Sequence, residues 1–292
     1  MPRVYTWRFN VRSYEVDRFG HVNNAVYLNY LEEAATRASA DAGFDGAWYD
    51  AHQCMWVIRE MHVRYHEPAL YGDELEIRTW VSDFRRVRSH REYEIVRVRD
   101  NCRVLRGRAD WVFMDRVEMR PKRLAPEFEG GFQPANVPLE DLEIRIPAAV
   151  SYPSHQFISE RRAQSYEIDQ LGHVNNANYL RWVEQASVDA LASVGWDTAR
   201  LQAENFYVFA LGHELEYFHE AKEGDPIKIV SWVTEKSRVR GAWIHEMYQR
   251  DTGELLARDY AAGAFLRRDG TNYRPTSMPD ALTHGIMTGE RT

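Results

Sequence analysis

The sequence predicts an α+β protein made of two copies of one unit, in which a single long helix packs against an antiparallel sheet. Three observations predict this class. The hexapeptide GHVNNA occurs at Gly20–Ala25 and again at Gly172–Ala177, 152 positions further along the chain. Apolar and small residues recur at helical spacing directly after each copy. The pattern then changes to the alternation that is typical of strands.

The similarity between the two copies extends well beyond the hexapeptide. The segment Ser13–Ala34 aligns with Ser165–Ala186 without a gap, and most of the differences preserve chemical character. At the same offset of 152 positions, Tyr65 aligns with Tyr217, Trp80 with Trp232, Arg86 with Arg238 and Phe113 with Phe265. This internal similarity indicates a tandem duplication.

Each unit reads as an extended segment, a polar loop that ends in His-Val-Asn-Asn, one helix and then strands. The first helix begins near Asn24 and ends at Gly43, and its counterpart ends at Gly195. Either asparagine of each pair could cap the helix. Strands are predicted at 53–66, 74–84, 88–100 and 103–115, with counterparts near 205–218, 226–236, 240–251 and 254–267.

The duplication predicts the domain organisation. We expect the first unit at 1–120, the second at 155–275 and a C-terminal tail at 276–292. Residues 121–154 contain six of the eleven prolines and are expected to form a linker with little regular structure. Two such units in one chain are expected to pack as a pseudo-two-fold pair, the covalent equivalent of a homodimer, and further homo-oligomerisation remains open.

Composition excludes several classes of protein. The 292 residues are 44% hydrophobic, and no apolar run approaches the roughly 20 residues of a membrane span. A formal charge of -7 argues against a large nucleic-acid interface. The N-terminus lacks the apolar core of a signal peptide, and two cysteines suggest no disulfide framework, so we expect a cytoplasmic location. His62 and His66 lie four apart on a predicted strand, where alternation decides facing, and no metal-binding motif is present.

The loop and the start of the helix carry the pattern D-x-x-G-H-V-N-N-A-x-Y-L-x-x-(Leu/Val)-E, at Asp17 to Glu32 and at Asp169 to Glu184. This pattern closely resembles the hotdog-fold acyl thioesterases of the 4-hydroxybenzoyl-CoA thioesterase superfamily, especially the bacterial long-chain acyl-CoA thioesterases. Plant acyl-ACP thioesterases carry a related motif. The resemblance covers both units and implies a tandem double hotdog in which each sheet wraps one helix.

The resemblance also implies roles for three residues of each unit. Thioester hydrolysis needs a nucleophile or a general base, and donors aimed at the oxyanion. An aspartate placed before a helix can supply the first, and the exposed backbone N–H groups of the first helical turn can supply the second. The implied catalytic residues are Asp17, His21 and Asn24 in the first unit, with Asp169, His173 and Asn176 in the second. For the histidines, the alternative is that each one only positions the loop.

Two further pairs are candidates for substrate binding. Asn23 and Asn175 could contact substrate, although helix capping is the simpler interpretation. Glu32 and Glu184 lie further along their helices and could order a water molecule across the pseudo-dimer, or be structural carboxylates.

An arginine-rich turn is the third candidate substrate contact. Arg85, Arg86 and Arg88 occur within DFRRVRSHRE, and Arg238 and Arg240 occupy the same place in the second unit. Such a group could bind the phosphates of coenzyme A or the acidic surface of acyl carrier protein, or be a solvated hairpin.

The predicted function is an acyl-CoA thioesterase with two pseudo-equivalent sites and no metal or redox cofactor. We favour coenzyme A as the carrier because both units keep the full motif. The alternatives are an acyl-ACP thioesterase and a catalytically silent acyl-thioester binding protein. A hydratase of the same fold is disfavoured, because the pattern D-x-N-P-x-H is absent.

Overall fold

A computed structural model describes residues 3–124, 126–135, 137–151 and 154–292. The chain forms two compact units, Met1–Glu143 and Ile144–Thr292. Each unit contains one long helix and one antiparallel sheet.

The first unit contains five long strands and one long helix. Its elements are β1 Val4–Asn10, α1 Asn24–Asp41, α2 Gly46–Ala51, β2 Cys54–Tyr65, β3 Glu74–Arg85, β4 Arg88–Arg97, β5 Cys102–Asp115, β6 Arg120–Pro121 and α3 Pro126–Gly131. The long strands lie in the order β1-β3-β4-β5-β2 with antiparallel pairing throughout, and β6 adds to β5.

The second unit repeats this architecture. Its elements are β7 Val150–Ser151, β8 Phe157–Arg162, α4 Asn176–Ser193, α5 Thr198–Ala203, β9 Tyr207–Tyr217, β10 Pro226–Lys236, β11 Arg240–Gln249, β12 Leu255–Asp269, β13 Asn272–Pro275 and α6 Asp280–Thr288. The strand order β8-β10-β11-β12-β9 matches that of the first unit, which confirms the duplicated α+β architecture. The pairing register is also equivalent, since Trp7 faces Ile77 and Ser159 faces Ile229, at the same offset.

The helices pack on their sheets through the small and apolar stripe that the sequence predicts. In α1 the buried positions include Ala25, Leu28, Leu31, Ala35 and Ala38, at spacings of three and four residues. Alanine at these positions lets the helix backbone approach the sheet closely. Because the helix is polar elsewhere, burial of this stripe holds it in place more than intrinsic propensity does.

Each unit has an aromatic cluster that is covered by the chain following its last long strand. In the first unit, Phe44 and Phe113 belong to a cluster with Phe128 and Phe132, which come from α3 and the residue after it. In the second unit, α6 provides the cover through Leu282. The segment expected to be a linker, 121–154, therefore contains a short helix that buries Phe128, and the segment expected to be a tail, 276–292, contains α6.

The interior of the second unit contains charged groups that the first unit lacks. His213 on β9 is buried, and its Nδ1 lies 3.0 Å from Oδ2 of the fully buried Asp259 on β12. Burial lowers the pKa of His213, but Asp259 and Glu184 outweigh that effect and raise the pKa above its ordinary value. The positions 152 residues earlier are Met61 and Gly107. The two sheets therefore differ in what they present to their helices.

Candidate active site

The loop before α1 folds around the side chain of Asp17. Oδ1 of Asp17 accepts hydrogen bonds from the backbone N–H groups of Phe19 at 2.8 Å and His21 at 3.1 Å. The Asp17 N–H donates to the His21 carbonyl at 2.7 Å and closes the loop. Gly20 supplies the required backbone turn with a φ of +79°, which other residues adopt only with strain. One carboxylate oxygen is thus fixed by the backbone, whereas Oδ2 has no hydrogen bond to any residue that the structure describes.

The second unit builds the same loop around Asp169. Oδ1 of Asp169 accepts from the Leu171 N–H at 2.8 Å, and Gly172 has a φ of +86°. Nδ1 of His173 lies 3.7 Å from Oδ1 of Asp169. Both side chains are partly accessible, at 25% for Asp169 and 16% for His173, so that a substrate can reach them.

Both helices begin at the second asparagine of the pair. Asn23 and Asn175 are the N-caps, and their side-chain oxygens accept from the backbone N–H two residues later at 3.0 Å. Within the described part of the chain, the backbone N–H groups of Asn24 and Asn176 have no acceptor. Each helix therefore presents an open donor at its positive end, close in sequence to the aspartate.

The carbonyl oxygens of the two helix-starting residues are held in the same way. Tyr65 donates from its hydroxyl to the Asn24 carbonyl at 3.4 Å, and Tyr217 donates to the Asn176 carbonyl at 3.2 Å. These tyrosines stand at the ends of β2 and β9, so the sheet fixes the orientation of the first peptide of each helix.

Glu220 lies beside His173 in the second unit, a contact that the sequence interpretation did not predict. Its Oε2 lies 3.5 Å from Nε2 of His173, and its Oε1 lies 3.0 Å from Nζ of Lys222. His173 thus lies between the carboxylates of Asp169 and Glu220. The residue equivalent to Glu220 in the first unit is Pro68, which cannot supply a charge. The offset comparison reveals this difference, but only the folded loops bring Glu220 beside the histidine.

The charges of the helix glutamates, Glu32 and Glu184, act on buried groups of their own units. The charge of Glu32 adds to the effect of burial in raising the pKa of Tyr93, which is fully buried. Glu184 contributes in the same sense to the raised pKa of His213. Within each unit, these glutamates therefore interact electrostatically with buried groups of the sheet.

The arginine-rich turn is the hairpin between β3 and β4, and several of its charges are already paired. Arg85 contacts Asp83 at 2.7 Å, and Arg88 forms an ion pair with Asp110. Arg86 is exposed. The corresponding hairpin of the second unit carries Arg238, which is exposed, and Arg240, which is half-buried.

This hairpin lies far from the aspartate loop of its own unit. The loop adjoins the start of β3, because Val22 donates to the Ala69 carbonyl and His21 bridges Leu70. The hairpin closes the other end of β3, and a strand of twelve residues extends about 35 Å. The structure therefore does not bring Arg85, Arg86 or Arg88 together with Asp17 inside the first unit.

Neither a metal cluster nor a membrane helix is found in what the structure describes. In the described ranges, no group of three or more His, Cys, Asp or Glu side chains is arranged to hold a metal ion. None of the helices there combines the length and apolar character that crossing a bilayer requires.

Comparisons with solved structures confirm the fold. A 12:0-ACP thioesterase from Umbellularia californica superposes with a TM-score of 0.72 at 20% identity, covering 89% of this chain and 93% of that one. An acyl-ACP thioesterase from Bacteroides thetaiotaomicron superposes with a TM-score of 0.69 at 19% identity, covering 89% and 97%. The chain is therefore a double hotdog, as the motif predicts.

Sequence comparisons point to the same group of proteins. A palmitoyl-acyl carrier protein thioesterase of Gossypium hirsutum, described as chloroplastic, is 25% identical over 300 residues, covering 99% of this chain and 68% of the relative. An acyl-[acyl-carrier-protein] hydrolase of Cuphea viscosissima is 22% identical over 194 residues, covering 63% of this chain and 47% of the relative.

A family model settles the membership. The model of the thioesterase-like superfamily matches residues 11–138 and again residues 164–286, so that each copy of the aspartate loop and its helix lies within a match. The chain belongs to the thioesterase-like superfamily.

Proposed function

We propose that this protein hydrolyses fatty acyl thioesters and that the loop of Asp169, His173 and Asn176 is its principal active site. The observation that carries this proposal is the combination of a backbone-held carboxylate with an open N–H at a helix start. Such an arrangement supplies a base and an oxyanion donor without a cofactor. A silent binding module would have no use for a carboxylate held in this way.

In the proposed reaction, the thioester carbonyl oxygen accepts from the Asn176 N–H. The Asp169 carboxylate takes a proton from water, and the water oxygen attacks the carbonyl carbon. The carbon–sulfur bond then breaks, and His173 protonates the leaving thiolate. The helix dipole and the N–H stabilise the negative charge on the oxyanion, and one such donor contributes about 3 to 4 kcal/mol in other hydrolases.

Direct attack by the aspartate is the alternative chemistry. It would form an acyl anhydride with Asp169, which water then cleaves. A single turnover in water enriched in ¹⁸O tests this route: label in the carboxylate of Asp169 would show an anhydride cleaved at the aspartyl carbonyl, which base catalysis cannot produce.

Glu220 supports the choice of the second unit. Its Oε2 lies 3.5 Å from Nε2 of His173, so it places a negative charge beside the side chain that we propose protonates the leaving thiolate. In the first unit, Pro68 offers no equivalent, so we propose that the Asp17 site turns over more slowly.

For the carrier, acyl carrier protein is our first candidate, because both curated relatives described above are named for it. Coenzyme A is the second candidate, since both units retain the full Asp-to-Asn motif. A cytoplasmic location stays a prediction.

The test is thiol release measured on the same acyl groups carried by acyl carrier protein and by coenzyme A. We expect turnover on a medium- or long-chain acyl group, with kcat/KM at least tenfold higher for one carrier. No release from either carrier at any chain length would contradict the proposed hydrolase.

A further inference from the structure

The second unit contains a cavity of about 300 Å³ between α4 and the edge strand β8. Its lining includes Phe157 and Ser159 from β8, Asp189 and Ser193 from α4, and Ser231 from β10. This volume lies at the lower end of the range of small-molecule sites. The cavity adjoins the third to fifth turns of α4, whereas the proposed thioester site lies at its first turn.

The first unit fills the equivalent space with its own side chains. At the offset of 152 positions, Trp7 is equivalent to Ser159, and Arg37 is equivalent to Asp189. The guanidinium of Arg37 lies over the indole ring of Trp7, 4.4 Å from the ring centroid. A flat ring and a cation thus occupy this region in one unit, whereas the other unit has a small hydroxyl and a carboxylate there.

A second pair of positions beside the cavity also differs between the two units. In the first unit, Arg3 forms an ion pair with Asp41. The corresponding residues of the second unit are His155 and Ser193, and both line the cavity. The imidazole of His155 packs against Gly289 instead, where an added Cβ would approach the ring within 2.8 Å.

The hydrogen bonds behind the cavity orient the hydroxyl of Ser231. Ser187 donates its hydroxyl proton to the Val183 carbonyl at 3.0 Å, so toward Nε2 of His245, at 3.4 Å, it can only accept. His245 is fully buried, and burial lowers its pKa to about 4, so the ring is neutral with its proton on Nε2. Nδ1 must then accept from Ser231 at 2.7 Å. The lone pairs of Ser231 are left for the cavity.

Two other polar side chains of the lining also present acceptors. Ser193 donates its hydroxyl proton to the Ala190 carbonyl at 2.7 Å. Oδ1 of Asp189 accepts from the Gln185 amide at 2.8 Å, and no cation pairs with Asp189 among the residues that the structure describes. Asp189, Ser193 and Ser231 therefore present a negative charge and oriented acceptors, so a ligand that binds them must bring the donors.

We propose that this cavity binds a small organic cation, an amine or a guanidinium joined to a flat apolar body. The cationic group would lie at Asp189 with donors directed at the hydroxyls of Ser231 and Ser193. The apolar body would pack on Phe157 and on the alanines of α4. The first unit provides the internal template, because its own arginine and indole occupy the equivalent place.

The test uses tryptamine as the probe and indole-3-propionate as the probe of opposite charge, each titrated into the full chain by saturation-transfer NMR. We expect saturable binding of tryptamine in the millimolar range, the order typical of a ligand of this size, and at least about tenfold weaker binding of indole-3-propionate. Equal binding of the two probes, or no saturable binding of tryptamine, overturns the proposal.

Four variants locate the binding. Ser159→Trp introduces the indole ring that Trp7 supplies at the equivalent place of the first unit, and it should abolish binding. Ser159→Ala removes only the hydroxyl and should retain binding. Asp189→Asn should weaken tryptamine binding about five- to tenfold. Glu204→Gln removes an equally exposed charge outside the cavity and should have no effect.

Binding by Ser159→Trp equal to that of the unchanged protein would place the ligand elsewhere and refute the proposed site. Melting temperatures of all variants check that each one folds. The measurement needs no thioester turnover, so the cation site and the proposed hydrolase can fail separately.

Discussion

Replacing Glu220 by Gln should lower kcat by about 5- to 30-fold while leaving KM nearly unchanged. The change removes one negative charge 3.5 Å from Nε2 of His173 and keeps the size of the side chain. Two charges at this distance interact by about 1 kcal/mol in water and about 5 kcal/mol at an effective dielectric of 20. Glu220 is 36% exposed and shares its charge with Lys222. We therefore expect Glu220→Gln to raise the activation free energy by about 1 to 2 kcal/mol.

The assay is thiol release under saturating and limiting acyl thioester, with Glu223→Gln as the matched control. Glu223 is an exposed carboxylate three positions further along the same loop, and it lies in no ion pair that the structure describes. Glu220→Asp should recover part of the lost kcat, because it restores the charge at a slightly greater distance. Unchanged kcat in Glu220→Gln would refute the proposed role, as would an equal loss in the control, which would indicate a general electrostatic effect.

Three further predictions address the unequal sites, the buried histidine and the covering helices. Asp169→Asn should lower turnover about 5- to 30-fold, to the level of the intact Asp17 site, and Asp17→Asn should lower it less than about twofold; the reverse order in a thiol-release assay would assign the principal site to the first unit. The pKa of His245 is lowered to about 4 by burial, so its contribution to stability is complete above about pH 6.5 and is lost as the pH falls toward 4. The loss amounts to about 3 kcal/mol of unfolding free energy. Urea denaturation at pH 6.5 and at pH 4 should show this loss in the unchanged protein and a smaller loss in His245→Asn. Phe128→Ala should cost about 3 to 5 kcal/mol of unfolding free energy and Leu282→Ala about 2 to 5, because both side chains are fully buried. A loss below about 1 kcal/mol at Phe128 in urea denaturation would show that α3 does not support the first unit.

The long elements of the fold could be predicted from the sequence because their periodicity is local. The predicted strand at 74–84 is observed as Glu74–Arg85, and the predicted strand at 226–236 as Pro226–Lys236. The predicted helix start at Asn24 is also observed, since the cap and the first buried residues are neighbours in sequence. Where a feature depends on residues close along the chain, the pattern decides it.

The covering segments could not be predicted in the same way. Helix α3 has only six residues and lies among prolines, so its sequence indicates a linker. Its structure depends on Phe128 and Phe132 finding the aromatic cluster around Phe44, which is distant in sequence. Tertiary contact determines this helix more than local propensity does.

The candidate site also combines features that local sequence could predict with contacts that it could not. The turn around Asp17 and the cap at Asn23 follow from a few adjacent residues, so the motif was sufficient to indicate them. Glu220 contacts His173 across two loops that are separated by two helices, α4 and α5, and the strand β9, and no local pattern indicates that contact. The arginines of the β3–β4 hairpin are close together in sequence, but sequence could not tell which end of the strand the aspartate loop adjoins.

The duplication makes the two units mutual controls, because the offset of 152 positions aligns residues in the same structural environment. The aspartate, the histidine, the cap and the tyrosine that holds the first helical peptide are identical in both units. Two of the differences lie beside proposed binding or catalytic groups, one at the flank of the histidine and one at the cavity beside the long helix. At the first, Pro68 corresponds to Glu220. At the second, Trp7 corresponds to Ser159.

These two differences have separate consequences. The charge of Glu220 beside His173 changes the chemistry of a site whose backbone is unchanged. Its removal should therefore alter turnover and leave tryptamine binding in the cavity intact. The cavity beside α4 leaves the loop and the helix start in place, so Ser159→Trp should block tryptamine binding without changing the fold. A double-mutant cycle between Glu220→Gln and Ser159→Trp tests this independence. Additive effects on turnover would mean that the cavity and the active site function separately, whereas a coupling above about 1 kcal/mol would mean that the two places are energetically coupled.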